Sequence, residues 1–235
     1  MKFTARIVFG TALVVSSTGA LVAQTAGSPA AVPVETQAVV SFQFERAGVS
    51  VPRFTLRVGE DGKGSYQADV TEGASDAAMS TAAEKHVDRA MTLAPETVSK
   101  IFKAARGLNR FHMACASKAK NIADTGTKTL SYAGPDGRGS CVYNYSDNKN
   151  VAMLTDTFLG IAYTLDEGRR LDFLHRYDRL GLDAEMTTLA SEAAAGRALE
   201  LGTIAPTLTA IVGDMAVMQR VRLRAEKMLA QTGGK

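Results

Sequence analysis

Beyond its first residues the chain lacks any long apolar run. The longest, Leu201–Gly213, is interrupted by Pro206 and falls short of the ~20 apolar residues that cross a bilayer as a helix. No transmembrane segment is therefore expected in the mature chain. Charge of one sign is lacking too: 27 Lys and Arg against 24 Asp and Glu leave a formal charge of +3. A balance so close to zero does not recommend nucleic acid or a membrane as a global partner. Histidine is limited to three residues and cysteine to two, so a metal site built from them has little to draw on. No G-x-S-x-G elbow occurs, and no cofactor motif stands in its proper setting. These absences leave the biochemical activity unspecified.

What is present begins with an export signature. Lys2 and Arg6 precede an apolar segment, Ile7–Val15, and small residues from Ser16 lead to an expected cleavage after Ala23, with Ala20 as second choice. Nine apolar residues are too few to remain as an anchor helix, and no cysteine follows them to carry a lipid. Cleavage removes Lys2 and Arg6, so the mature charge falls to +1. The expected organisation is a signal peptide at 1–23, a flexible Ala/Pro-rich linker at 24–36, an α+β domain at 37–167 and a helical C-terminal region at 168–235. The expected location is secreted or periplasmic. Cys115 and Cys141 then face an oxidising compartment, where a disulfide is the natural reading of two cysteines.

Two similar words organise the middle of the chain, GEDGKGS at 59–65 and GPDGRGS at 134–140. A phosphate loop must open directly into a helix, but both words lead into strands. A calcium loop wants more acids and a distal bidentate Glu. Asp-Gly between alternating apolar segments is a hairpin signal, with glycine taking positive φ. The strand pattern is clearest at Val40/Phe42/Phe44 and Phe54/Leu56/Val58. A further strand is expected near 86–93 and another hairpin across 127–146, while 71–83 reads as loop. Pro95 and Glu96 open a helix whose apolar face is Val98, Ile101, Phe102 and Ala105, ending at Gly107. A second helix starts near Val151 with Leu154, Phe158, Ile161 and Leu165 in one stripe.

That stripe does not extend to Leu171, Leu174 and Tyr177, so the helix either breaks near Gly168 or changes packing partners there. Beyond it Asp183 suits an N-cap, and Leu208, Ile211, Met215, Met218, Ala225 and Leu229 mark a Met-rich stripe. The fold expected is an antiparallel sheet of about six strands with two packed helices, followed by the helical region. The two hairpin-then-helix passages also leave an internal duplication open.

Other words are weighed and set aside. Ser117-Lys-Ala-Lys120 with Ser146-Asp147-Asn148 matches two motifs of penicillin-recognising serine enzymes. The third motif is missing, since Lys128-Thr129-Leu130 lacks its glycine and lies between the other two. His112 and Cys115 have His-x-x-Cys spacing without a third ligand. Within 166–183 the charges read as pairs along one helix: Asp172 with Arg176, His175 with Asp178, and Asp166 with Arg169 and Arg170. No catalytic, cofactor or metal residue is assigned. One asymmetry remains: Lys100, Lys103, Arg106, Arg110, Lys118 and Lys120 precede Lys128 with only Asp124 against them. These six form the expected patch for an anionic partner of the envelope, protein or polymer.

The succession Pro52–Val58, Glu60–Tyr66, Pro95–Arg106, Lys128–Tyr132 and Val142–Tyr145 resembles a family of small exported bacterial domains of unknown function, over about residues 38–165. The resemblance implies an α+β fold and an envelope or extracellular setting, and it supplies no catalytic residues. The function expected is a non-catalytic binding module of the envelope. The alternative is an envelope hydrolase whose site is assembled from scattered residues, around His112 or His175.

Overall fold

A computed structural model describes residues 37–71 and 84–232. The expected export signal, linker and most of the 71–83 loop lie outside the described residues. The alternation of apolar and polar side chains builds six strands, β1 (Val39–Glu45), β2 (Arg53–Gly59), β3 (Lys63–Thr71), β4 (Glu84–Thr92), β5 (Thr127–Gly134) and β6 (Gly137–Tyr143). They form one antiparallel sheet in the order β4-β3-β2-β1-β5-β6. β1 pairs Phe42 with Leu56 on one side and Leu130 on the other. The expected α+β class and strand number are therefore found.

One face of this sheet is covered. Helix α1 (Pro95–Gly107) turns Val98, Ile101, Phe102 and Ala105 onto it, the face expected from their spacing. Helix α2 (Lys149–Tyr177) starts two residues before Val151 because Asn148 caps it, its Oδ1 accepting from the backbone N–H of Asn150 and Val151 at 2.9 and 3.3 Å. Phe158 stacks on Phe42 with ring centroids 5.2 Å apart, and Phe102 meets Tyr132 edge-on at 6.3 Å. Burying rings of this size makes each a 3–5 kcal/mol contributor when truncated to Ala. The opposite face carries Ser41, Gln43, Thr55, Arg57, Gln67, Thr129 and Ser131, all half-buried or exposed.

Helix α2 does not break at Gly168 but changes partners there. Leu154, Phe158, Ile161 and Leu165 belong to the sheet core, whereas Leu171 enters a second core with Leu182, Met186, Leu189, Ile204, Leu208 and Ile211. The expected boundary between 167 and 168 thus falls inside one continuous helix. The second core is closed by α3 (Leu182–Ala194), α4 (Ala205–Gly213) and α5 (Gln219–Thr232). Glycines set the crossing: a Cβ on Gly160 would lie 2.9 Å from Leu199 Cγ, and one on Gly168 would lie 2.3 Å from Ile204 Cγ2.

Three local expectations are corrected. Gly181, not Asp183, occupies the N-cap of α3, and Asp183 pairs with Arg220 and Arg224 of α5 at 2.9 and 3.1 Å. His175 bonds Asp214 at 2.9 Å and Asp172 pairs with Arg89 at 3.9 Å, so these charges join separate elements rather than neighbours on one helix. Only Asp166–Arg169, at 3.0 Å, is the expected pair, and Arg170 turns to Glu167 and Glu185. The Met-rich stripe is divided by a chain break in helicity at Asp214: Met215 stands exposed, while Val217, Val221 and Met228 fill the core.

Candidate functional site

Both Asp-Gly words lie at the same end of the sheet, because β1 pairs Val39 with Gly59 and with Ala133. The turns differ. Glu60, Asp61 and Gly62 close the first, with Gly62 at φ 80°, and Pro135 and Asp136 close the second before Gly137 at φ 141°. Loop length separates them, as does β4, which stands between the first hairpin and its helix but has no counterpart before α2. The resemblance of the words comes from turn chemistry.

Helix α1 ends against both turns. Arg106 pairs with Glu60 of the first at 2.6 Å and with Asp136 of the second at 3.4 Å, while Arg110 reaches Asp136 at 3.0 Å. The Tyr132 hydroxyl donates to Asp136 at 2.5 Å. This bond, with the Arg110 guanidinium behind it, holds the Asp136 carboxyl down at about 2. Arg106 also lies over the Phe102 and Tyr132 rings at 5.7 and 5.9 Å. Its guanidinium is pushed up, first by the bond to Glu60.

Arg110 sits in a left-handed turn. Asn109, Arg110 and Phe111 have φ of 51, 56 and 64°, a conformation that costs non-glycine residues of order 1–3 kcal/mol each. Phe111 is fully buried and anchors the turn. The Arg110 carbonyl approaches β6 so closely that a Cβ on Gly139 would stand 2.2 Å from it. Beyond this turn the Cys115–Cys141 bridge, with Cα atoms 5.8 Å apart, fastens the following segment to β6. The expected disulfide is present, and it removes Cys115 from any His112 metal site.

Four of the six basic residues cluster on α1 and its left-handed turn. Of these, Arg106 and Arg110 are committed to the turns, and Lys100 and Lys103 are exposed without an ion-pair partner among the described residues. Lys118 and Lys120 are exposed on the segment after the bridge and take no part in the Arg106 network. Lys128 is 5% exposed, and its ammonium donates to the carbonyls of Thr125, Gly126 and Asn144 at 2.8–3.0 Å. Burial lowers its pKa. Beside Lys103 a groove of about 510 Å³ runs between the first turn and α1, floored by Pro95, Val98 and Phe102 and edged by Glu60 and Asp61.

The remaining motifs separate into structural parts. The Ser117 hydroxyl donates to Asp147, and Asn148 caps α2, while Lys120 touches neither. His175 faces Asp214 beside Arg179, and His86 faces Asp69. Neither histidine has a serine hydroxyl or a thiol among its bonded partners in the described residues. Sequence reasoning missed Glu200, whose carboxylate accepts from the Ala94 N–H at 2.9 Å and from the Thr97 hydroxyl. It places a carboxylate at the start of α1, which has no side-chain cap of its own. Sequence reasoning also missed Glu167, 3% exposed on α2, which faces Glu185 of α3, pairs with Arg170 at 3.5 Å and leaves its Oε2 without a hydrogen-bond partner among the described residues. Glu200 could not be signalled by spacing, because its partners come from a distant element, and for Glu167 spacing gives only Arg170 and not the Glu185 that it faces on another helix. No family model matches the chain, and no curated protein matches it.

Proposed function

We propose that the protein is an exported, non-catalytic binding module of the cell envelope, secreted or periplasmic after cleavage behind Ala23, and that its partner is an acidic protein segment. One observation carries the reading. At the end of α1 the arginines are neutralised by the turns, while Lys100 and Lys103 have no ion-pair partner among the described residues, Lys103 on the rim of a groove with an apolar floor. Such an edge selects an extended segment bearing a carboxylate beside an apolar anchor. Lys118 and Lys120 widen the positive field that steers it. The disulfide supports an oxidising compartment. Among the described residues no helix is long and apolar enough to cross a membrane.

The test is recovery of partners from the exporting cell's envelope with the tagged mature chain, alongside the Lys100→Glu/Lys103→Glu variant. A partner held by the wild type, released by salt and lost by the variant supports the reading. Equal recovery by both proteins contradicts it. Turnover of a hydrolase substrate panel with no partner retained would favour the envelope hydrolase instead.

A further inference from the structure

A second cavity, of about 240 Å³, lies between the chain after β6 and the first turns of α2. It falls below the range that takes drug-sized ligands and has room for a single ring. Tyr145 stands at its wall with 48% of its surface exposed, and Leu159 and Ala152 of α2 face it. Asp156 lines the same space and has no ion-pair or hydrogen-bond partner among the described residues.

The polar inventory decides what kind of ring. The Thr155 hydroxyl donates to the Val151 carbonyl at 2.8 Å, so at 2.6 Å it accepts from the Tyr143 hydroxyl. Both hydrogens are thereby used, and Tyr143 presents only a lone pair. Ser146 accepts from the Asn148 N–H at 3.3 Å and keeps its hydroxyl hydrogen spare. The three Lys128 hydrogens have four acceptors already, from Thr125, Gly126 and Asn144. The cavity thus offers several acceptors, one of them a free carboxylate, and no uncommitted cation. An anionic ligand finds nothing to neutralise it, whereas a ligand rich in hydroxyl donors finds both oxygens of Asp156.

We propose that this cavity is a saccharide site, taking one neutral pyranose ring with an apolar face on Tyr145 and two neighbouring hydroxyls on Asp156. Tyrosine supplies a rigid apolar face with a polar tip, and ring C–H groups lie well on such a face. Ser146 donates to a third ligand oxygen. Past Asp156 a further cavity of about 420 Å³ shares Ala152 and Asp156 and is lined by Lys100 and Lys149. A glycan continuing in that direction meets two cations, so a carboxylate on the adjoining unit strengthens binding. The ring site is separate from the groove beside Lys103 and stands without the acidic-partner reading, and only its extension shares Lys100 with that patch.

The experiment is a heteronuclear NMR titration of the mature protein with the methyl glycosides of glucose, galactose, mannose and N-acetylglucosamine, with glycerol as an acyclic control. At least one glycoside is expected to shift resonances within 143–146 and 152–159, saturating at millimolar concentration. Asp156→Asn and Tyr145→Ala, both at exposed positions, should each weaken that binding about tenfold or more, as expected for losing a charge-assisted bond or a stacking face. Unchanged shifts elsewhere report an intact fold in both variants. The proposal is overturned if no glycoside moves these resonances, if glycerol moves them equally, or if Asp156→Asn binds as tightly as the wild type.

Discussion

Gly139 and the left-handed turn it admits show how single residues set this protein's geometry. The Arg110 carbonyl occupies the space where a Cβ on Gly139 would stand, 2.2 Å away. Overpacking of this kind typically costs about 1–3 kcal/mol. Gly139→Ala is therefore expected to lower unfolding free energy by about that amount in urea titration, whereas an exposed site such as Ser140→Ala should stay within about 0.5 kcal/mol. Glu167 is the second decisive residue. Burial, followed by the neighbouring Glu185 carboxyl, lifts its carboxyl from 4.5 to about 8. The folded state thus holds a proton that the unfolded chain gives up near 4.5. Stability is fully present below that pH and is lost as pH climbs through about 8. Glu167→Gln, which keeps the shape without the titration, should abolish this fall, worth about 2–4 kcal/mol in the wild type between pH 4 and 9. Denaturant midpoints across that range decide it, and a parallel fall in the variant would place the cause elsewhere. Neither residue announced itself in sequence, since the glycine answers a carbonyl 29 positions away and the acid answers another helix.

At the scale of elements, α2 is the strut on which both cores are built. Its first stripe was legible because Leu154, Phe158, Ile161 and Leu165 keep helical period against one partner. The failure of that period at Leu171 was legible as well, but not its cause, which is the close passage of Ile204 over Gly168. A methyl at 168 would stand 2.3 Å from Ile204 Cγ2. Gly168→Ala should therefore destabilise by about 1–3 kcal/mol. Ile204→Ala alone should cost about 2–5 kcal/mol for its cavity. Because the new methyl partly fills that cavity, the double variant should fall short of the sum by at least about 0.5 kcal/mol, and strict additivity would contradict the contact. Hairpins and α1 were readable from turn chemistry and a proline start. The carboxylate at the start of α1 was not, since Glu200 arrives from beyond α3. The same reason defeats the local ion pairs read for His175 and Asp172. In the second core, helices pack closely enough that their charges find partners across the interface.

For the whole molecule, one sheet face is covered by α1 and α2 while the other remains polar, and both similar turns meet at one end under Arg106. The Cys115–Cys141 bridge closes a span of 26 residues and fastens it to the middle of β6, where Cys141 pairs with Leu130. Its reduction should lower stability by roughly 3–4 kcal/mol in the chain-entropy treatment, read as a drop in thermal midpoint with dithiothreitol. A Cys115→Ser/Cys141→Ser variant should show no further drop on adding reductant. The functional claim rests on charge that the fold leaves unspent on α1. It is tested most directly by NMR titration of the mature chain with a short peptide of alternating Glu and Leu, with a Lys/Leu peptide as control. The Glu peptide is expected to move resonances at 60–62 and 93–106, to bind more weakly as salt rises, and to lose these shifts in Lys100→Glu/Lys103→Glu. An absence of shifts there, or equal shifts with the Lys/Leu peptide, would contradict an acidic partner on α1.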